Sequence, residues 1–198
     1  MKILHVVTSP RGNDSFSIKL GNAIVDKLIG ANPGSSVKVN DVTIEPFPHL
    51  EEVHLNSFST AKEERTVELV EAVKHSDDAI SEIFEADTIV IGVPMYNFAI
   101  PSTLKTWIDH IVRAGVTFSY AENGPVGFVK GKKIYLAISS GGIYSEGPML
   151  SFDFTEPYLR KILSFLGMVD ITAIRVEGVA IPGIKETALE GAIQRIKL

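Results

Sequence analysis

The chain has 198 residues, no cysteine and a formal net charge of −5. Those numbers exclude disulfides, thiolate metal sites and a cysteine nucleophile, and an acidic chain without a basic run is a poor candidate for binding nucleic acid. One domain over residues 1–198 is expected, long enough to bury roughly 70% of its unfolded surface without a staple. No apolar run approaches a membrane span, and the N-terminus enters a strand at Lys2 with no signal-peptide pattern. The expectation is a soluble, cytoplasmic protein.

Ile3–Val7 reads as a first strand. The loop Thr8-Ser9-Pro10-Arg11-Gly12-Asn13-Asp14-Ser15-Phe16-Ser17 follows it and opens a helix over 15–29 with apolar residues at helical spacing. Hydroxyls, small residues and an arginine at a helix N-terminus suit a phosphate. The alternative is an ordinary loop capped by Asp14 or Ser15. Neither a dinucleotide fingerprint nor a Walker loop is present. Asn32-Pro33-Gly34 ends the helix, and Val37–Val42 alternates as a second strand near an edge. Residues 45–59, with Pro46 and Pro48 and no clear period, read as a loop. Residues 60–85 read as one long helix with a possible break at Asp77-Asp78.

Thr88–Val93 is an apolar, β-branched run of the kind buried on both faces of a sheet. It stops at Pro94, and the turn Met95-Tyr96-Asn97-Phe98 precedes a helix over 102–113. An aromatic pair exposed in such a turn implies a flat ligand, which makes this turn the candidate wall of a flavin site. A hydrophobic plug is the alternative, although a plug would have to satisfy Asn97 internally. Val116–Tyr120 alternates and Glu122-Asn123-Gly124-Pro125 turns, which predicts a small hairpin offering Phe118 and Tyr120 at its surface. Lys133–Ser139 is a fourth strand, followed by Ser139-Ser140-Gly141-Gly142 and then Tyr144. Paired glycines let backbone approach a ligand; a plain flexible turn is the alternative. Residues 154–166 are helical, 170–176 form a fifth strand, and 185–197 are helical.

Strand–helix alternation predicts an α/β fold with a five-stranded parallel sheet, helices on both faces and the flavodoxin-like order 2-1-3-4-5. The three candidate loops then lie at the carboxyl ends of neighbouring strands, where open sheets bind ligands. The histidines show no metal spacing, and no metal is expected.

With these residues the chain resembles the FMN-dependent NADH-azoreductase family of flavodoxin-like quinone reductases. The resemblance spans essentially the whole length. It is most specific at Pro94-Met95-Tyr96-Asn97-Phe98, Ile100-Pro101-Ser102 and Leu104-Lys105, with Arg113–Phe118, Glu122–Pro125 and Gly141-Gly142 in support. It implies FMN, a homodimer, and two-electron reduction of quinones and azo compounds by NADH or NADPH. By position it assigns the phosphate end to Ser9, Ser15 and Ser17, with Phe16 serving through its backbone where many relatives carry a polar residue. Pro94, Met95, Tyr96, Asn97 and Phe98 would line the isoalloxazine, and Ser139, Ser140, Gly141 and Gly142 its pyrimidine edge. Phe118, Tyr120 and Tyr144 are candidate substrate contacts; Tyr144 replaces a histidine of some members. A flavodoxin-type electron carrier and a flavin-sensing regulator are the rival classes.

Overall fold

The computed structural model describes residues 1–198. In chain order the elements are β1 (Lys2–Val7), α1 (Phe16–Ala31), β2 (Ser36–Asp41), α2 (Glu52–Ser59), α3 (Val67–Glu85), β3 (Thr88–Pro94), α4 (Ser102–Ile111), β4 (Phe118–Ala121), β5 (Gly124–Gly127), β6 (Lys133–Ser139), α5 (Glu156–Phe165), β7 (Asp170–Val176) and α6 (Lys185–Gln194). The main sheet has five strands in the order β2-β1-β3-β6-β7, all parallel. That is the flavodoxin-like order once the inserted hairpin is set aside. The hairpin is there as expected, with β4 and β5 antiparallel.

Burial follows the character of each run. Every residue of β3 is buried, and β2 is open along most of its length, as an edge strand should be. The larger core lies between one sheet face and α3, α4 and α5, built around Trp107, Ile83, Leu104 and Leu163. The smaller core lies under α1 and α6, around Leu20, Ile24, Tyr135 and Ala192. No helix is long and apolar enough to cross a membrane.

Four local expectations are corrected. Residues 52–59, expected as loop, form α2; its first turn is closed by Glu51 N–H donating to His54 Nδ1 at 3.0 Å. The long helix expected over 60–85 is divided, because Thr66 accepts from Leu69 N–H at 3.4 Å and caps α3 afresh. The break at Asp77-Asp78 does not occur; Asp77 instead pairs with Arg113 of the α4 end. Phe118 is not offered to solvent but buried, its ring 4.5 Å from that of Phe165. Gly127 explains how the hairpin reaches α5, since a Cβ there would fall 2.1 Å from the Leu166 carbonyl carbon.

His5 sits in β1 under α1, 3% exposed, and its Nε2 has no partner. Burial lowers its pKa from 6.5 to about 4, against a smaller upward pull from Asp41. In the unfolded chain the imidazole takes a proton near 6.5, whereas the folded protein keeps it neutral down to about 4. Between those values the unfolded state binds more protons, so stability falls as pH falls. Moving from about pH 7 to about pH 5 should cost about 2 kcal/mol at this residue. His5→Leu is expected to lose that share of the pH dependence, measured as urea unfolding free energies of both proteins at each pH. The same pH dependence in both would assign the acid sensitivity elsewhere.

Candidate active site

Three loops meet at the carboxyl edge of β1, β3 and β6. The first leaves β1 at Thr8, makes one tight 3-10 turn over Gly12–Asp14, and enters α1 through Ser15. Of the two candidate caps it is Ser15 that accepts from Ile18 N–H, at 3.4 Å. The Ser15 and Ser17 hydroxyls lie 3.0 Å apart. The N–H groups of Phe16 and Ser17 begin the helix and have no carbonyl behind them to bond. Hydroxyls, free amides and the positive helix end therefore face the same way.

The second loop is held by main-chain bonds on both sides. Met95 N–H donates to Ser139 O at 2.8 Å, and Tyr96 and Ala99 exchange two bonds of 3.0 Å. Between them Asn97 and Phe98 have φ of 49° and 69°. Two successive positive φ values are what a type I′ turn requires. Asparagine tolerates that region; a bulky aromatic residue does not adopt it without support. The support is visible. Phe98 O accepts from Phe154 N–H at 3.0 Å, and the Phe98 ring meets Phe152 at 5.2 Å and Tyr144 at 6.1 Å.

The third loop follows β6. Ser140 donates its hydroxyl to Gly142 O at 2.9 Å, Gly178 N–H donates to the same oxygen at 3.0 Å, and Ala180 N–H donates to Gly141 O at 3.0 Å. The carbonyls of this loop thus point to the segment after β7. The N–H groups of Gly141 and Gly142, like those of Asn97 and Phe98, donate to no group of the protein.

A cavity of about 420 Å³ lies between the loops. It is lined by Ser9, Ser15, Phe16, Pro94, Met95, Tyr96, Ser139, Ser140 and Gly141. Asn97 and Phe98 continue its rim in an exposed turn. Ser17 is fully buried one step behind the lining, in contact through Ser15. Gly142 and Tyr144 lie beside the rim, Tyr144 edge-on to Phe98. Phe118 and Tyr120 are on the hairpin and do not line the cavity of their own chain; Tyr120 is largely exposed. Four further lining residues are Arg11, Val179, Ala180 and Lys185. Arg11 is readable in the loop as a cation. Lys185 gives no sequence signal, because it arrives only when the chain after β7 folds back on the β6 loop.

The family described as "Flavodoxin-like fold" matches residues 1–198. An FMN-dependent NADH:quinone oxidoreductase of Mesorhizobium japonicum is 44% identical over 197 residues, covering 99% of this chain and 94% of that protein. The chain belongs to this family. An azoreductase from Bacillus anthracis str. Sterne superposes with a TM-score of 0.88 at 32% identity, over 98% of this chain and 97% of that one. An FMN-dependent NADH-azoreductase from Bacillus anthracis str. Ames Ancestor, solved in complex with FMN, superposes at 0.87 with 26% identity, over 98% and 95%.

The residues present fit FMN. Its phosphate is matched by the hydroxyls and free amides at the start of α1, with Arg11 and Lys185 lining the same cavity. Its flat ring, with acceptors along one edge, is matched by unpaired amides on both neighbouring loops. The positive φ at residue 98 reverses an ordinary preference. Phe98→Gly should be more stable than Phe98→Ala by about 1 kcal/mol, because only glycine occupies this region without penalty. Denaturant midpoints of the two variants check it, and equal or reversed stabilities would show the turn to be relaxed.

Proposed function

We propose that the protein is an NADH:quinone oxidoreductase working through FMN by ping-pong turnover, that it also cleaves azo compounds reductively to aromatic amines, and that it acts as a homodimer in the cytoplasm. The observation that carries this reading is the row of unpaired backbone donors facing a cavity about 420 Å³ in volume at the carboxyl edge of the sheet. The relatives' names, NADH:quinone oxidoreductase and azoreductase, support the choice of donor and acceptors.

When bound, FMN supplies the two-electron chemistry, taking hydride from NADH and passing the electron pair to an acceptor. The chain's own residues bind and orient. Ser9, Ser15 and the first amides of α1 hold the phosphate, with Ser17 steadying Ser15 or sharing the contact. Amides of Gly141 and Gly142 are placed to stabilise negative charge that develops at the ring's pyrimidine edge. Tyr96, Phe98 and Tyr144 form an aromatic border that admits flat molecules. Protons come from water, with Tyr120 and Tyr144 the local side-chain donors. One slot serves donor and acceptor in turn, so each must leave before the other enters.

The dimer reading rests on exposed apolar residues around the site. Phe98, Phe152, Phe154 and Leu150 are all exposed beside the turn, and Tyr120 projects from the hairpin. Such surface marks an interface, and a two-fold pair would place each hairpin over its partner's slot.

Initial rates with varied NADH and benzoquinone should give parallel double-reciprocal lines. Intersecting lines would require both substrates to bind together and would reject ping-pong turnover; absence of NADH oxidation would leave an electron carrier or regulator. Ser17→Ala is expected to weaken FMN binding by roughly ten- to 150-fold, the equivalent of one hydrogen bond to a charged group, with little change in turnover at saturating FMN. An unchanged FMN titration would remove Ser17 from the phosphate site. Sedimentation should show a dimer, and Tyr120→Ala should change acceptor Michaelis constants while FMN remains bound. Full specific activity in a monomer would reject the shared slot.

A further inference from the structure

Behind the segment from Tyr144 to Phe154 stands an ionic cluster with no part in holding the phosphate or the ring. Its centre is Arg175 in β7, whose side chain is 12% exposed. The guanidinium binds Asp153 through Nη2. It also donates to Glu156 through Nε at 2.8 Å and to Glu177 through Nη1 at 3.3 Å. Burial opposes the charge on Arg175, and the hydrogen bonds it donates to Glu156 and Asp153 outweigh it, so its pKa stands above the ordinary arginine value.

Those carboxylates are fastened to backbone. Glu177 Oε1 accepts from the N–H groups of Tyr144 at 2.8 Å and Ser145 at 3.0 Å. Asp153 Oδ1 accepts from the N–H groups of Thr155 at 2.9 Å and Glu156 at 3.3 Å, at the start of α5. One guanidinium therefore ties down both ends of a segment that sets Tyr144, near its start, and Phe152, near its end, against the Phe98 ring. Phe152 packing on Phe98 and the Phe154 N–H bond to Phe98 O hold the far part of the segment as well. The start of the segment, at Ile143, Ser145 and Glu146, borders an open groove of about 640 Å³ against α6, with Arg175 and Glu177 on its floor side. Around Tyr144 and Ser145 the Glu177 bonds therefore stand where the groove leaves the backbone without a packing neighbour on that side. The planar fork of arginine serves several carboxylates at once, which a lysine ammonium does not reproduce.

We propose that Arg175 and Glu177 are positioning residues for the acceptor side of the active site, holding Tyr144 and Phe152 against Phe98 and so setting which flat acceptors fit. The inference rests on the quinone-reductase reading above. It assigns an influence on substrate choice to two residues that do not line the FMN cavity.

The test uses full-length, FMN-loaded protein and anthraquinone-2-sulfonate as the acceptor. Glu177→Ala removes the acceptor for two amides; Glu177→Gln retains a side-chain oxygen for them; Arg175→Lys keeps the charge without the fork. In Glu177→Ala, hydrogen exchange at Tyr144 and Ser145 should quicken by about tenfold or more, as loss of a bond to a charged group implies. The Michaelis constant for the quinone should rise by about tenfold, with kcat and the FMN dissociation constant within about threefold of wild type, the pattern of lost substrate positioning. Glu177→Gln should recover most of both effects. Arg175→Lys should loosen Tyr144–Ser145 and Thr155–Glu156 together; if it does not fold, the Glu177 pair decides. Faster exchange with an unchanged Michaelis constant would overturn the proposal, and so would unchanged exchange. Titrating the quinone without NADH, by its perturbation of flavin absorbance, reads the same wall without turnover. A wild-type protein that binds quinone but does not oxidise NADH would sink the functional reading while leaving the clamp to be judged by exchange and binding.

Discussion

The site depends on the double pairing of β3. This strand is buried at every residue and bonded in parallel to β1 on one side and β6 on the other. A parallel sheet with both faces covered forces every connection off its ends. Three loops therefore issue from adjacent strands at one level, with only the spacing between strands separating them. Side-chain bonds lock that level. Thr8 donates its hydroxyl to Gly92 O at 2.6 Å, Thr103 donates to Thr8 O at 2.8 Å, and Met95 N–H reaches Ser139 O at 2.8 Å. The loop before α1, the aromatic turn and the glycine loop are thus cross-tied by the protein's own bonds, and rigid loops of this kind lower the ordering cost of binding.

Cross-tying also explains why strain is tolerated in the aromatic turn. Phe98 in a left-handed conformation costs about 1–2 kcal/mol. The Tyr96–Ala99 pair of bonds fixes both ends of the turn, and Phe154 N–H takes up the Phe98 carbonyl. The neighbouring framework over-determines the conformation, as strain at a functional position requires. What the strain achieves is visible in the donors: with the turn closed this way, the Asn97 and Phe98 amides have no internal acceptor. A relaxed extended chain would not gather two free amides beside an aromatic face.

Much of this was readable from residue order, and the failures have identifiable causes. The β-branched run at 88–93, the hydroxyl-rich loop before α1 and the glycine pair after β6 announce themselves by composition, and their convergence follows from strand order. The hairpin at 118–127 is readable from its turn residues. α2 is not, because Pro46 and Pro48 mask a short helix whose start depends on a Glu51–His54 bond. Phe118 deceives because alternation in a hairpin tells which side chains share a face but not which face meets Phe165. Free amides and the arrival of Lys185 are properties of the folded backbone, with no residue type that signals them. Arg175, Asp153 and Glu177 look like scattered surface charge until β7 brings them together.

The two ends of the cavity are built on different principles. The end on α1 and β1 has neutral hydroxyls and amides close in and the cations Arg11 and Lys185 exposed at the margin. Exposed charges are screened within a Debye length of about 8 Å at physiological salt, so in a chain of net charge −5 they aid the approach of an anion more than they hold it. The short-range donors of that end are weakened less by salt. At the aromatic end the segment after the β6 loop is fastened to Arg175 of β7 through Glu177 and Asp153, charged groups mostly shielded from solvent. The two ends of the cavity are thus anchored independently, one on the sheet edge and α1, the other through Arg175 and Glu177. A change in the second anchorage therefore need not disturb the first, because no bond of the Arg175 cluster reaches the loop before α1.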